Sequence, residues 1–344
     1  MTYEVTIGIP VYNVRKYIRL SMESALAQTF QDIEFLVCDD CGTDNSMDIV
    51  REYQQAHPRG KDIHILRQPR NMGIGAGRNR IIEEARGRYL YFMDSDDEIA
   101  PETIELLYEN AQKHQAQLVY GSYERIEEFG EEVKRVARCY PPMVFTDDDA
   151  FAAYVYQHYN RIEAMIWNIL IDIDVYRKNG IRHKLVNYWE DFTFTMDLPT
   201  YVSRVVLLPD VTYYYHCRKD SLSNFQKRDY IAKEEILATI HAMDEIKDSS
   251  DRLRGKSYFP LRMLKVMMTD FYIVCTILRN KDVTEPAFSK QEIREVMRSP
   301  LSLREILQFH QAKWINLMLY CLWKLPPALS VMLMKLFAKA RNLI

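Results

Sequence analysis

Through the first 120 residues, short apolar runs alternate with stretches of helical period. Val5–Ile9, Ile33–Val37, Ile63–Leu66 and Tyr89–Met93 are compact runs rich in branched and aromatic side chains. Each is followed by polar residues and then by apolar positions spaced three and four apart, a buried strand leading into a one-sided helix. That order predicts parallel strands joined by crossover helices, an α/β layer with both sheet faces covered. Ligands of such sheets bind beyond the carboxyl ends of the strands. The residues just after each strand are therefore where function is sought.

Farther along the pattern changes. Between about 140 and 220 it is mixed, with helical period over Asp147–His158 and Glu190–Tyr201 and strands over Val205–Leu208 and Val211–His216. From about residue 228 it is almost wholly helical, divided by Pro260, Pro286, Pro300 and the pair Pro326-Pro327. The expected boundary falls near 225, with a helical region over 226–344.

Composition narrows the class. A chain of 344 residues, 48% hydrophobic and 27% charged, is long enough for one large domain or two ordinary ones and is not disordered. Its net charge of −3 speaks against a nucleic-acid binder, which needs a concentrated basic surface. Cys38 and Cys41 are the only cysteines at motif-like spacing, and with Asp39-Asp40 between them and no second pair they read as coincidence. A strand pattern at the amino terminus, in place of a basic segment followed by an apolar one, leads us to expect a cytoplasmic protein. Glycine is scarce at 11 and tyrosine abundant at 23, so grouped glycines should mark unusual backbone and the tyrosines need an explanation.

Four polar clusters follow the four strands: Pro10-Val11-Tyr12-Asn13, Asp39-Asp40-Cys41-Gly42-Thr43-Asp44, Asn71-Met72-Gly73-Ile74-Gly75-Ala76-Gly77-Arg78-Asn79 and Asp94-Ser95-Asp96-Asp97. Asp94 and Asp96 can converge on one hard divalent cation, whose charge would neutralise a departing diphosphate. A solvated acidic turn before the helix Glu102–His114 is the alternative. Asp39 and Asp40 suit base N–H groups or ribose hydroxyls; the alternative is a turn, with Asp44 or Asn45 capping the next helix. The glycine cluster fails as a dinucleotide fingerprint because Arg78 stands where the third glycine belongs, leaving glycines that admit close backbone approach and a fixed positive charge at Arg78. Tyr12 offers a plane for stacking or packing. Together these loops specify a sugar-nucleotide pocket.

The succession Ile9-Pro10-Val11-Tyr12-Asn13, Asp39-Asp40-x-Gly-Thr-Asp44, Asn71-x-Gly73 with Arg78-Asn79, and Asp94-x-Asp96 resembles the inverting family-2 glycosyltransferases of GT-A fold, of the bacterial cell-surface polysaccharide type, over about residues 3–225. The resemblance implies a Rossmann-like, mostly parallel sheet flanked by helices, with a donor half over about 1–120 and an acceptor half over 121–225. It also implies a nucleotide-diphospho-sugar donor, uridine most often, and Mn²⁺ or Mg²⁺ at Asp94 and Asp96. Pro10, Tyr12, Asn13, Asp39, Asp40, Asn71, Gly73, Arg78 and Ser95 would line the donor site. Cys41 departs from the family's Asp-Asp-Gly-Ser and bears on nucleoside identity.

Trp189-Glu190-Asp191-Phe192 resembles the family's Glu-Asp motif, which implies Asp191 as the base that takes the acceptor proton, with Trp167, Trp189 and Glu190 on the acceptor side. Tyr213–Ser223 resembles the family's tyrosine-rich strand and basic loop: His216 is a candidate third metal ligand, and Arg218 and Lys219 are candidate phosphate contacts. Each has a plain structural alternative: a satisfied histidine, a core tryptophan, or acidic residues favouring a helix start. After Glu305 the chain carries Lys313, Lys324, Lys335, Lys339 and Arg341 and no acidic residue, around an apolar stretch interrupted by Pro326-Pro327. This fits peripheral contact with the inner face of the cell membrane through 313–341, where a glycan or polyprenyl-linked glycan acceptor would be met; a packing or homodimer element is the alternative. A nucleotidylyltransferase and a non-catalytic sugar-nucleotide-binding scaffold remain as rival functions.

Overall fold

The computed structural model describes residues 2–128, 133–158, 165–186, 190–218 and 229–344. Its contacts divide into two compact units: Met1–Phe151, Arg161–Leu185 and Glu190–Ser221 in the first, and Ala152–Asn160, Val186–Trp189 and Leu222–Ile344 in the second.

The first unit begins with the expected alternation: β1 (Tyr3–Val11), α1 (Ile18–Leu26), β2 (Ile33–Asp39), α2 (Ser46–Ala56), β3 (Ile63–Arg67), α3 (Ile74–Glu84) and β4 (Gly87–Phe92). It continues through β5 (Glu98–Ile99), α4 (Thr103–His114), β6 (Leu118–Glu128), β7 (Val133–Arg138) and β8 (Met143–Phe145), then, after α5 (Ala150–Gln157), most of which belongs to the second unit, through β9 (Ile169–Asp172), α6 (Ile173–Asn179), α7 (Glu190–Asp197) and β10 (Val205–Cys217). One sheet runs in the order β3-β2-β1-β4-β9-β6-β10-β5, with β7 on β6 and β8 on β10. Pairing is parallel from β3 to β4, as the sequence predicts, and again between β6 and β10. The antiparallel β9, wedged between β4 and β6, makes the whole sheet mixed. The two short strands expected around 205–216 are a single strand with irregular register near Leu207, Val211 and Tyr213.

Every residue of β2 is buried, the pattern of a central parallel strand covered on both faces. Glu34 lies inside it at 0% exposure and is tolerated because Thr6 and Arg86 both donate to its carboxylate, at 2.8 and 2.7 Å. Asn168 is equally buried and its amide is fully used: it donates to the Gly121 and Ser122 carbonyls and accepts from Tyr91 and Thr212. That one side chain pins β4, β6 and β10 together where the strand direction changes.

The second unit contains β11 (Ile231–Ala232), α8 (Lys233–Ser249), α9 (Phe259–Arg279), β12 (Thr284–Glu285), α10 (Lys290–Val296), α11 (Leu303–Gln308), α12 (Lys313–Lys324) and α13 (Pro327–Ala340). Pro260 and Pro327 occupy first turns, where the missing N–H costs nothing. Ser289 with Glu292 and Ser302 with Glu305 form reciprocal caps at the starts of α10 and α11. Charges buried at α9 have partners: Lys247 lies 2.8 Å from Asp270, and Arg262 donates to the Tyr156 and Ser250 hydroxyls. Among the described residues no helix is long and apolar enough to cross a membrane.

Candidate functional site

The loops after β1, β2, β3 and β4 lie at the carboxyl edge of the parallel strands, and hydrogen bonds between them define their shape. Asn13, at φ 52°, accepts from the Thr43 and Asp44 amides at 2.7 and 3.3 Å, joining the first loop to the second. Asp39 accepts from the Cys41 amide, and Cys41 takes a left-handed φ of 58° that an L residue adopts at a cost. Both Asp40 oxygens are engaged by the third loop, from the Met72 and Gly73 amides at 2.8 and 2.9 Å, and Asn71 accepts from Gly73 as well. Asp40 thus sets the path of a loop, where the sequence had it facing a base or ribose. Gly73 is required there by its φ of +84°. Pro10 closes the apolar run of β1 at half-burial, and Tyr12 presents a ring that is 46% exposed. A cavity of ≈ 150 Å³ lies between Val11, Asn13, Asp39, Gly42 and Arg67.

Of the other two clustered glycines, only Gly75 is required by packing. A Cβ at Gly75 would fall 2.4 Å from the Lys184 carbonyl oxygen, and one at Gly77 would only touch the Cys38 and Pro10 side chains. Gly75 therefore lets α3 press against the segment before α7. Asn79 secures the same segment with two bonds to the His183 backbone, donating to its carbonyl and accepting from its amide at 2.9 and 2.8 Å. Sequence reasoning named Asn79 beside Arg78 but gave it no role, since its partner lies 104 residues away.

Arg78 is helical and 3% exposed, so its charge faces protein carboxylates. One guanidinium nitrogen is 3.2 Å from Asp94 and another 3.2 Å from Glu190. The arginine expected to offer a free positive charge to a ligand instead joins the acidic loop after β4 to the first turn of α7. Burial pushes the Glu190 carboxyl up to about 7, with Asp191 adding repulsion and Arg78 opposing it. Asp191, the next residue, is also raised by burial, again against the pull of Arg78, and it feels the negative charge of Asp94.

Asp96 accepts from Arg218 at 3.4 Å, and the Arg218 guanidinium stacks 4.0 Å from the centre of the Tyr17 ring. Burial, and then the charge of Asp94, push Asp96 up to about 6. Ser95 between them is buried. Asp97, given no role in the sequence reading, is 1% exposed and holds the end of β10 by accepting from Tyr213 Oη and the His216 amide at 2.9 and 2.8 Å. Tyr213 Oη also accepts from the Asp94 amide. This network sets the acidic loop against β10.

Two candidate residues have partners within the protein. The His216 ring is turned to Glu98 and Glu128, its nitrogens 2.8 and 3.2 Å from their oxygens. Trp167 is not an open platform: Tyr213 stacks on it at 4.4 Å and Tyr215 at 5.3 Å, with Tyr123 edge-on at 4.9 Å. Trp189 and Lys219 lie outside the described residues. Among the described residues no three histidine, cysteine or acidic side chains gather as a cage for a metal. Asp94 and Asp96 nevertheless fit Mg²⁺ or Mn²⁺ in the form that needs only one or two protein carboxylates, the remaining positions falling to water and phosphate oxygens. Their mutual repulsion is what a divalent cation would relieve.

A pH effect on stability follows from the raised carboxyls. Glu190 and Asp96, together with Asp270 of the second unit at about 7, bind protons more tightly folded than unfolded. Their stabilising contribution is complete below the unfolded values and is lost as pH rises through the folded ones; the buried His183, held neutral by desolvation, opposes them in the same window, one group against three. The ligand-free protein is expected to melt at a higher temperature at about pH 5.5 than at about pH 7.5. Calorimetry across that window measures the slope, and a melting temperature that rises toward pH 7.5 would contradict these assignments.

Comparison with known proteins adds to this geometry. A family model described as Glycosyl transferase family 2 matches residues 6–187. Chondroitin synthase of Escherichia coli is 31% identical over 185 residues, 51% of this chain and 26% of its own length. Cholesterol galactosyltransferase of Borreliella burgdorferi is 28% identical over 64% of this chain and 62% of its own. The chain spans less than two-thirds of the length of these relatives. The crystal structure of S. aureus TarS 1–349 in complex with UDP-GlcNAc superimposes with a TM-score of 0.62 at 18% identity, covering 93% of this chain and 90% of that one. That likeness establishes the shared fold of sheet, flanking helices and carboxyl-terminal helices.

Proposed function

Because the chain belongs to glycosyl transferase family 2, we propose that it moves a sugar from a nucleotide-diphospho-sugar, UDP-linked, to a hydroxyl of a glycan or polyprenyl-linked glycan, with inversion in one displacement. The carrying observation is the Asp94–Arg78–Glu190 bridge, which ties the acidic loop after β4 to the start of α7, where Asp191 follows. As the bond from the acceptor oxygen to the anomeric carbon forms and that to the diphosphate oxygen breaks, Asp191 takes the acceptor proton. Its raised affinity for protons suits a base, because a carboxylate at its ordinary value would be a weak one. Asp94 and Asp96 would hold Mn²⁺ or Mg²⁺, whose charge stabilises the leaving diphosphate. Tyr12 offers its exposed ring to the base, and the loops shaped by Asp39, Asp40, Asn71 and Gly73 border the nucleoside. The uridine assignment follows from the family resemblance and accords with the UDP-GlcNAc held by TarS. The division of labour proposed is a transferase unit to about residue 225 and a helical region after it that meets the membrane.

A thermal-shift series with UDP-, dTDP-, GDP- and CMP-sugars, with and without Mn²⁺, tests the donor. UDP-sugars should raise the melting temperature most, and Asp96→Ala should remove the Mn²⁺-dependent part. Equal shifts with and without metal in both proteins would reject the metal assignment. Release of UDP rather than pyrophosphate in turnover separates transfer from nucleotidyl transfer.

A further inference from the structure

α12 and α13 are apolar nearly all round, a composition that fits a helix buried on every side, yet only one face of each is covered. Both pack on α9, α13 also on α10 and α12 also on α11, with Asn316, Leu319 and Leu322 inward on α12 and Ser330, Val331, Met334 and Ala338 inward on α13. Asn316 donates to the Pro260 carbonyl at 3.1 Å, fixing which side of α12 turns to α9. Opposite these faces run two exposed stripes. Trp314, Met318 and Cys321 follow one another at i, i+4 and i+7; Leu329, Met332 and Leu336 at i, i+3 and i+7. Trp314 is 75% exposed and Leu336 56%, with Phe337 beside it at 43%.

Charge decides what fits this face. Lys335 and Lys339 flank the α13 stripe, both exposed, and neither pairs with a carboxylate among the described residues. No acidic residue follows Glu305. A two-fold dimer through the same patch would set these cations against their own copies. An anionic surface answers both the apolar stripe and its cationic border. At about 18 and 21 Å the helices are too short for a hydrocarbon core of about 30 Å, but their length suits lying within the interface.

We propose that the exposed faces of α12 and α13 form a docking surface for an anionic lipid bilayer, with Trp314, Met332, Leu336 and Phe337 entering the headgroup boundary and Lys335 and Lys339 held over it. This deepens the membrane part of the function proposed above and rests on it only for its biological sense, since docking requires no donor and no turnover. The test is flotation of the full chain, without nucleotide, on phosphatidylcholine vesicles with and without about 30% phosphatidylglycerol. The protein should float with the anionic vesicles and stay behind with the neutral ones. Lys335→Glu/Lys339→Glu and, separately, Leu336→Ser/Phe337→Ser should each lower partitioning at least about tenfold. These positions are exposed, so unchanged melting temperature and UDP-sugar response show that fold and donor site persist. Brominated lipid should quench tryptophan emission, and Trp314→Phe should remove most of that quenching. Failure of the wild-type chain to float, equal flotation of the variants, or a concentration-dependent dimer that the Leu336→Ser/Phe337→Ser pair dissolves would each overturn the proposal. A docking failure with an intact UDP-sugar shift counts against the surface alone, and the reverse counts against the donor site alone.

Discussion

Asp191→Asn is expected to lower kcat by about 10³-fold, within the roughly 10²–10⁴ that a positioned general base contributes, while changing UDP-sugar affinity less than about threefold. The substitution keeps size and removes the group that takes the proton. Burial already disfavours the charged form of Asp191, so the neutral amide should leave the melting temperature unchanged or slightly higher. Single-turnover transfer and nucleotide titration on one preparation make the measurement. A variant retaining more than a tenth of wild-type turnover places the base elsewhere, and Glu190, one position earlier, is the next carboxylate to test.

Arg78→Met should have the largest effect on stability. It strands two carboxylates that share one guanidinium, with side-chain exposures of 24% at Asp94 and 13% at Glu190. Removing one partner of a buried pair costs about 3–5 kcal/mol, and the partial exposure of Asp94 argues for the lower half. The loss should shrink at acid pH. Glu190 takes up a proton near pH 7, so below that value there is less charge left to strand. Urea unfolding at about pH 5.5 and about pH 8 reads this directly, and an equal loss at both would mean that Glu190 carries no charge worth pairing. Arg78→Lys restores the charge but a single ammonium cannot reach both carboxylates as a planar fork does, so it should recover less than half of the loss.

The same arginine shows how far local pattern carries. Its place at the close of a glycine cluster after a strand marked it as functional, and the strand-helix alternation put that cluster at the correct sheet edge. Its burial and its two partners were not legible, because Glu190 lies 112 residues away. The partners of His216 were not legible for the same reason. Tyrosine in a strand before a basic loop is a local pattern, whereas Glu98 and Glu128 reach the ring from segments 118 and 88 residues distant. Part of the tyrosine surplus is core packing: Tyr91, Tyr120, Tyr123 and Tyr213 are fully buried, and Tyr91 and Tyr213 use their hydroxyls inside the sheet.

By itself the sequence determined the β-then-helix order, the four polar loops beyond four strands, the paired aspartates, and the change to helices near residue 228. These depend on spacings of two to four residues, which set the periods of strand and helix. Only the tertiary structure decided which carboxylates Arg78 joins, that Asp40 and Asp97 organise loops, that β9 runs against its neighbours, and that α12 and α13 keep one apolar face in water. Each of these depends on which distant segments meet, and a charge or an apolar face acquires its role from the partner opposite it rather than from its neighbours along the chain.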